Sequence, residues 1–202
     1  MNEFESSLEN VFFDQVLKRL PRTTPFETQV NVSTLCGTFR LDMLATVEGR
    51  RIGLEVDGQE FHDEYRDEWR DAMILGDGQA DEIIRLRGCD LVYHLDDCQF
   101  LLSKIQPLLF CERQLAVTER FASERAKRFA EGETDWQCGA LLSYTEQFFI
   151  DIRRRTIEGR VTGPGREFWA VYHRFATEQG GGPLDTIIER WRATDRAAWS
   201  VP

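Results

Sequence analysis

The chain has 202 residues, 42% of them hydrophobic, enough for one core of ordinary domain size plus an appendage. It contains no run of about 18 apolar residues, and its opening MNEFESSLEN is acidic where a secretory leader is basic and then apolar. A membrane span is therefore not expected, and the expected address is the cytoplasm. The formal net charge of −10 falls in one half, since residues 1–109 hold 11 Lys and Arg against 21 Asp and Glu while residues 110–202 hold 14 of each, a balance that argues against tight sequence-independent nucleic-acid binding by the chain alone.

SSLENVFFDQVLKRL (6–20) offers serines suited to an N-cap and repeats Leu8, Phe12, Val16 and Leu20 at helical spacing, with Glu9 beside that stripe. Pro21 and RTTP end it. ETQVNVST (27–34) alternates as a strand, and GTFRLDMLATV (37–47) places Phe39, Leu41, Met43, Ala45 and Val47 on one face. After a turn at 48–51 comes a strand with Ile52, Leu54 and Val56 on one face and Gly53, Glu55 and Asp57 on the other. The period then changes: DEYRDEWRDAMIL (63–75) is a helix ended by GDG. EIIRLRG (82–88) and LVYHL (91–95) read as short strands, and another helix is expected from Asp96-Asp97, with a kink or restart at Pro107. Beyond residue 110 the pattern reads as helical throughout, including DWQCGALLSYTEQFFIDIRRR (135–155). The layout predicts an α/β core over 1–110 and an all-helical extension over 111–202.

Five cysteines, at 36, 89, 98, 111 and 138, form no C-x-x-C pair, so they read as reduced, mostly buried thiols.

The hairpin of 37–57 raises the chemical question. If both strands turn their apolar faces to one core, Leu41 opposes Val56, Met43 opposes Leu54, and Ala45 opposes Ile52. A two-residue loop at Glu48-Gly49 gives that register. Asp42 then faces Glu55, with Asp57 a diagonal neighbour. Carboxylates about 5 Å apart at an effective dielectric near 20 repel by roughly 3 kcal/mol before screening. A divalent cation, Mg2+ or Mn2+, would relieve this, and Gly53 on the same face would leave room for a ligand. The alternative is a solvated acidic sheet face whose Asp57-Gly58 only ends a strand.

The spacing D-x12-E-x-D-G-x3-H, from Asp42 to His62, resembles the PD-(D/E)XK nuclease superfamily and its very-short-patch-repair-like endonuclease branch. Glu9 on the first helix, Gln29 in the first strand, Asp42 ending F-R-L-D and the E-x-D-G of Glu55 to Gly58 follow in order, then IIRLRG after an arginine-bearing helix. The resemblance spans about residues 5–110. It implies a restriction-endonuclease-like αβββαβ core and a Mg2+- or Mn2+-dependent DNA endonuclease. On that likeness Asp42, Glu55 and the Val56 carbonyl hold the metal, which would polarise the phosphoryl oxygen and activate a water. Glu9 would position that water or a second metal. The usual lysine two residues after the glutamate is here Asp57, so either a second cation held by Asp57 replaces the ammonium or hydrolysis is lost. His62 is the candidate proton donor or acceptor, unless it only caps the next helix.

Arg66, Arg70, Arg85 and the run Arg153-Arg154-Arg155 are candidate phosphate contacts. Salt-bridge lattices and a solvated helix end are their ordinary alternatives. The aromatic stripes Phe148-Phe149 and Phe168-Trp169-Tyr172 read as bundle core rather than base-stacking platforms, and Trp191 and Trp199 are candidate docking anchors. The surplus acidity points to recruitment to DNA by a protein partner, such as a helicase, an ATPase or another subunit of a defence or repair assembly. A homodimer would be needed to cut both strands symmetrically. The rival functions are a catalytically inactive binding or assembly module on the same fold and an RNA nuclease.

Overall fold

The computed structural model describes residue 14 and residues 25–58, 63–132, 134–157 and 168–194. Glu9, His62, Trp199 and all of the first expected helix except Asp14 lie outside these residues. The described elements are β1 (Phe26–Thr34), β2 (Gly37–Val47), β3 (Arg50–Asp57), α1 (Glu64–Gly76), β4 (Glu82–Arg87), α2 (Gly88–Ile105), α3 (Glu112–Phe121), α4 (Glu124–Glu131), β5 (Gly139–Ser143), β6 (Phe149–Thr156), α5 (Phe168–Glu178) and α6 (Leu184–Ala193). A short 3-10 turn, Pro107–Leu109, follows α2. The strands form one mixed sheet in the order β1-β2-β3-β4-β6-β5, with β3 and β4 parallel through the crossover of α1 and every other pair antiparallel. This is a mixed α/β fold. No helix among the described residues is long and apolar enough to cross a membrane.

Each face of the sheet supports its own helical layer. Met43, Ala45, Ile52, Leu54, Ile84 and Leu86 pack against the apolar sides of α2 and α4, through residues such as Cys98, Leu102 and Ala126. On the other face Val32, Leu41, Leu44 and Ile83 meet Ile74 and Leu75 of α1. The outer side of α1 is then covered by α5 and α6, where Trp69 stacks on Tyr172 with ring centroids 4.1 Å apart and Phe175 and Trp191 pack edge-on. Trp191 is thus a core residue here, 6% exposed.

The hairpin forms in the expected register over Met43↔Leu54 to Val47↔Arg50, turning through Glu48 and Gly49 at φ 51° and 79°. Positive φ at both turn residues matches the twist of the flanking strands. Leu41 departs from the expectation. It packs with Leu44 on the α1 side, while Met43 and Ala45 face the other core. The alternation of β2 therefore breaks at Asp42, beside Gln29 of β1, whose φ is 54°. Leu41 fills the space above Gly53, where an added Cβ would touch its methyl groups at 3.5 Å, so this glycine does not open a path for a ligand.

Two other expectations are corrected. LVYHL is the first part of α2, with Leu91, Leu95, Cys98 and Leu102 at helical spacing toward the core and a kink at His94 (φ −140°, ψ 38°). The helix start expected at Asp96-Asp97 lies just past this kink. The chain after residue 110 is not all helical, because β5 and β6 lie within the expected helix 135–155 and extend the sheet across the boundary expected at residue 110. Their apolar residues obey period two: Ala140, Leu142, Ile150 and Ile152 all face the α2 side. Asp97 fixes this hairpin from below by accepting hydrogen bonds from the Ser123 backbone N–H at 2.6 Å, from Ser123 Oγ at 2.7 Å and from the Tyr144 hydroxyl.

Gly139 is where β5 begins, at φ 112°, and a Cβ there would lie 1.9 Å from the Ile152 carbonyl oxygen. Because the obstacle is backbone in a paired strand, Gly139→Ala is expected to lower unfolding stability by about 3 kcal/mol, from the conformational strain and overpacking together. Urea denaturation measures it.

Candidate functional site

The pairing of β3 with β4 sets opposite charges side by side on the face beneath α1. Glu55 pairs with Arg85 and Asp57 with Arg87 across the parallel ladder, while Arg85 stands beside the like-charged Arg153 across the antiparallel one. Helix α1 adds Asp67, Arg70 and Asp71 from above. It is capped by Asp63, whose side chain accepts from the Tyr65 and Arg66 backbone N–H groups.

Asp71 is 1% exposed, and two guanidinium groups hold it. Arg85 donates from Nε to Oδ2 at 2.9 Å and from Nη2 to Oδ1 at 2.7 Å, while Arg155 donates from Nη1 to Oδ2 at 2.5 Å. Burial alone would raise the Asp71 carboxyl, but the charge and hydrogen bonds of Arg85, then the charges of Arg155 and Arg70, outweigh it and hold the group below the usual range. Burial would likewise depress the Arg85 guanidinium, and Asp71 outweighs it. The remaining nitrogen of Arg85, Nη1, reaches Asp57 Oδ1 at 2.8 Å.

Glu55 is 5% exposed. Its carboxylate accepts from Arg70 Nη2 at 2.8 Å, and the same nitrogen bonds the Arg40 carbonyl. Burial is the main cause that pushes this carboxyl up to about 8. The negative charges of Asp42 and Asp71 add to it, and Arg70 and Arg85 oppose it. Asp42 is half-buried, and its Oδ2 accepts from the Val56 backbone N–H at 2.9 Å. The expected pair of acids on neighbouring strands is thus close enough to interact, although Asp42 sits just beyond the last ladder pair.

A cleft of about 260 Å³ opens at the carboxyl ends of β3 and β4, lined by Asp57, Asp67, Arg85, Arg87, Asp151 and Arg153 among others. Arg153 bridges Asp151 at 2.9 Å and Glu64 at 2.8 Å. Arg87 forks onto Asp90 and lies 4.0 Å over the Phe149 ring. Of the expected phosphate contacts, Arg85, Arg153 and Arg155 reach this cleft. Arg66 does not, being tied to Asp185 of α6 at 2.9 Å. Arg154 points to the opposite face, where it forks onto the fully buried Glu82. The run 153–155 is therefore not one patch, because adjacent residues of a strand point to opposite faces.

Sequence reasoning missed Asp71, Asp90 and Asp151. The signal for Asp71 is its place on α1 three and four residues before Ile74 and Leu75, on the side of the helix turned to the sheet; for Asp151 it is the period-two pattern of β6. Among the described residues no three or more histidine, cysteine and carboxylate side chains converge as a ready-made cation cage. The donor chemistry of Asp42, Glu55 and the Val56 carbonyl nonetheless suits a hard divalent cation, which needs only one or two carboxylates when water fills the remaining positions.

Because Glu55 binds its proton more tightly folded than unfolded, its contribution to stability is full below about 4.5 and is lost as pH rises through about 8. Glu55→Gln is therefore expected to gain in melting temperature over the parent chain as pH goes from 5 to 9, read by calorimetric scans. Asp71→Ala, which strands the buried Arg85 and the half-buried Arg155, is expected to cost about 3–5 kcal/mol, against under about 1 kcal/mol for Arg66→Ala at an exposed pair. Chemical denaturation of the two variants side by side checks the difference. Comparison of the chain with family models, with curated proteins and with solved structures finds no match in any of the three.

Proposed function

We propose that the chain is a metal-dependent DNA endonuclease of the PD-(D/E)XK type, hydrolysing phosphodiester bonds with Mg2+ or Mn2+ as a subunit of a defence or repair assembly. The observation that carries this reading is the pair Asp42 and Glu55 on adjacent strands, close enough for one charge to raise the other's carboxyl, with a cleft lined by four arginines and four acids beginning two residues beyond Glu55, at Asp57. Clefts at the carboxyl ends of parallel strands are where open α/β sheets bind ligands.

On this reading Asp42, Glu55 and the Val56 carbonyl hold the ion, which when bound supplies Lewis-acid activation of the phosphoryl oxygen and of a water. Arg85, Arg87 and Arg153 orient the phosphodiester at the mouth of the cleft. Asp57, in the position of the usual lysine, keeps Arg85 turned toward that mouth through its 2.8 Å ion pair. Glu9 retains the role of water positioning that the family likeness gives it, and His62 the role of proton transfer that its imidazole suits.

A second reading, a binding or assembly module without catalysis, is favoured by one observation. The acids that needed an attractor have guanidinium partners, Arg70 on Glu55 and Arg85 on Asp57.

Cleavage of supercoiled plasmid, a single-stranded DNA oligonucleotide and its RNA counterpart, with and without Mn2+, separates the readings. Metal-dependent DNA cutting that falls by at least about 100-fold in Asp42→Ala and Glu55→Ala is expected. Cutting of RNA alone would move the substrate to RNA. No cutting of any substrate, with co-purifying partners also present, would favour the assembly module.

A further inference from the structure

The candidate cation site already holds a cation of the protein's own. Arg70 donates from Nη2 to Glu55 Oε1 at 2.8 Å and from Nη1 toward Oε2 at 3.4 Å, and it also donates to the carbonyl of Arg40. Arg40 precedes Asp42 by two residues on β2, and Glu55 lies on β3, so one guanidinium spans the two strands that carry the candidate ligands. The side chains of Glu55 and Arg70 are 6% and 13% exposed, so solvent screens their interaction little.

Arg70 differs from Arg85 and Arg155, the guanidinium groups that end on Asp71, in what anchors it. Arg85 and Arg155 are fixed by Asp71, and each reaches a further carboxylate, Asp57 and Glu68 respectively. Among the described residues Arg70 has one carboxylate partner, Glu55, and its second partner is a neutral carbonyl. A carbonyl holds a guanidinium less strongly than a carboxylate does. Arg70 is thus held less firmly than Arg85 and Arg155.

We propose that Arg70 is the resident counter-ion of this site and competes with a divalent cation for Glu55, so that the site loads only when Arg70 moves off that carboxylate. The inference rests on the reading of Asp42 and Glu55 as cation ligands. A bound dication beside Glu55 would repel a guanidinium in contact with the same oxygens, and ligand number and charge set the affinity of such sites. The pairing holds a positive charge against the buried acid while the site is unloaded and sets a threshold concentration of metal for loading.

The test is calorimetric titration of Mn2+ into chelator-stripped protein, with no nucleic acid present, for the parent chain, Arg70→Gln, Arg70→Lys, Glu55→Gln and the double variant Arg70→Gln/Glu55→Gln. Arg70→Gln is expected to bind Mn2+ at least tenfold more tightly than the parent. Arg70→Lys, whose ammonium cannot fork onto both oxygens, is expected to gain less, and the two Glu55→Gln proteins are expected to lose the site. Equal or weaker Mn2+ binding by Arg70→Gln, with the site still lost in Glu55→Gln, would overturn the competition and leave the cation site standing. A gain that persists in the double variant would overturn it as well, since the ion would then sit elsewhere. Absence of Mn2+ binding in every protein would remove the cation site and the inference with it. Should Arg70→Gln fail to fold cooperatively, Arg70→Lys decides, and an affinity equal to that of the parent overturns the proposal.

Discussion

The buried carboxylate of Asp71 is the interaction on which the face beneath α1 depends. Arg85 of β4 and Arg155 of β6 both end on it, so one helical side chain links two strands that are not consecutive in sequence. Burial strips its solvation, and the bonds and charges of these two guanidinium groups, with the charge of Arg70, offset that cost. The same pairing decides how Arg85 is aimed. With Nε and Nη2 taken by Asp71, Nη1 is left to meet Asp57 at the cleft. Position of the helix and geometry of the cleft are therefore set by the same bonds.

The opposite face uses polar ties of a similar kind at its margins and apolar packing between them. Glu82, fully buried at the start of β4, accepts from Arg154 of β6 and from Gln106 just past α2. Asp97 joins α2 to the N-cap of α4 and to the β5–β6 hairpin. Each is a carboxylate whose bonds run to segments distant in the chain. Between them they give the late strands a place at β4 and hold them there, which is why residues far apart in sequence complete one sheet.

Charge on the functional face is close to balanced locally although the chain is acidic. The acids at 55, 57, 71 and 151 each meet arginine. This changes the meaning of the acidic hairpin. Repulsion among its carboxylates does not by itself call for a metal ion, because α1 and β4 bring guanidinium groups to it. What distinguishes Asp42 and Glu55 is their joint placement at the edge of the network, with Arg70 as the less firmly anchored partner. The proposed nuclease and the proposed competition both draw on that placement.

The sequence by itself determined the local features: the hairpin turn and its register from Met43 to Val47, the strand after residue 81, the helix that GDG ends and the nearness of Asp42 to Glu55. These follow from period, turn residues and short-range pairing, all of which are written in adjacent residues. The kinked helix at 88–105 and the strands at 139–156 are not legible locally, because short apolar runs satisfy either period and only the neighbouring element selects one. Tertiary structure alone decided that Leu41 turns away from Met43, that Arg153 and Arg154 part to opposite faces, and that Asp71 is buried. It also decided that arginine meets Glu55 and Asp57 of the hairpin. Each of these depends on a partner 14 or more positions away, and a charge in a sequence carries no record of which opposite charge will share its loss of water.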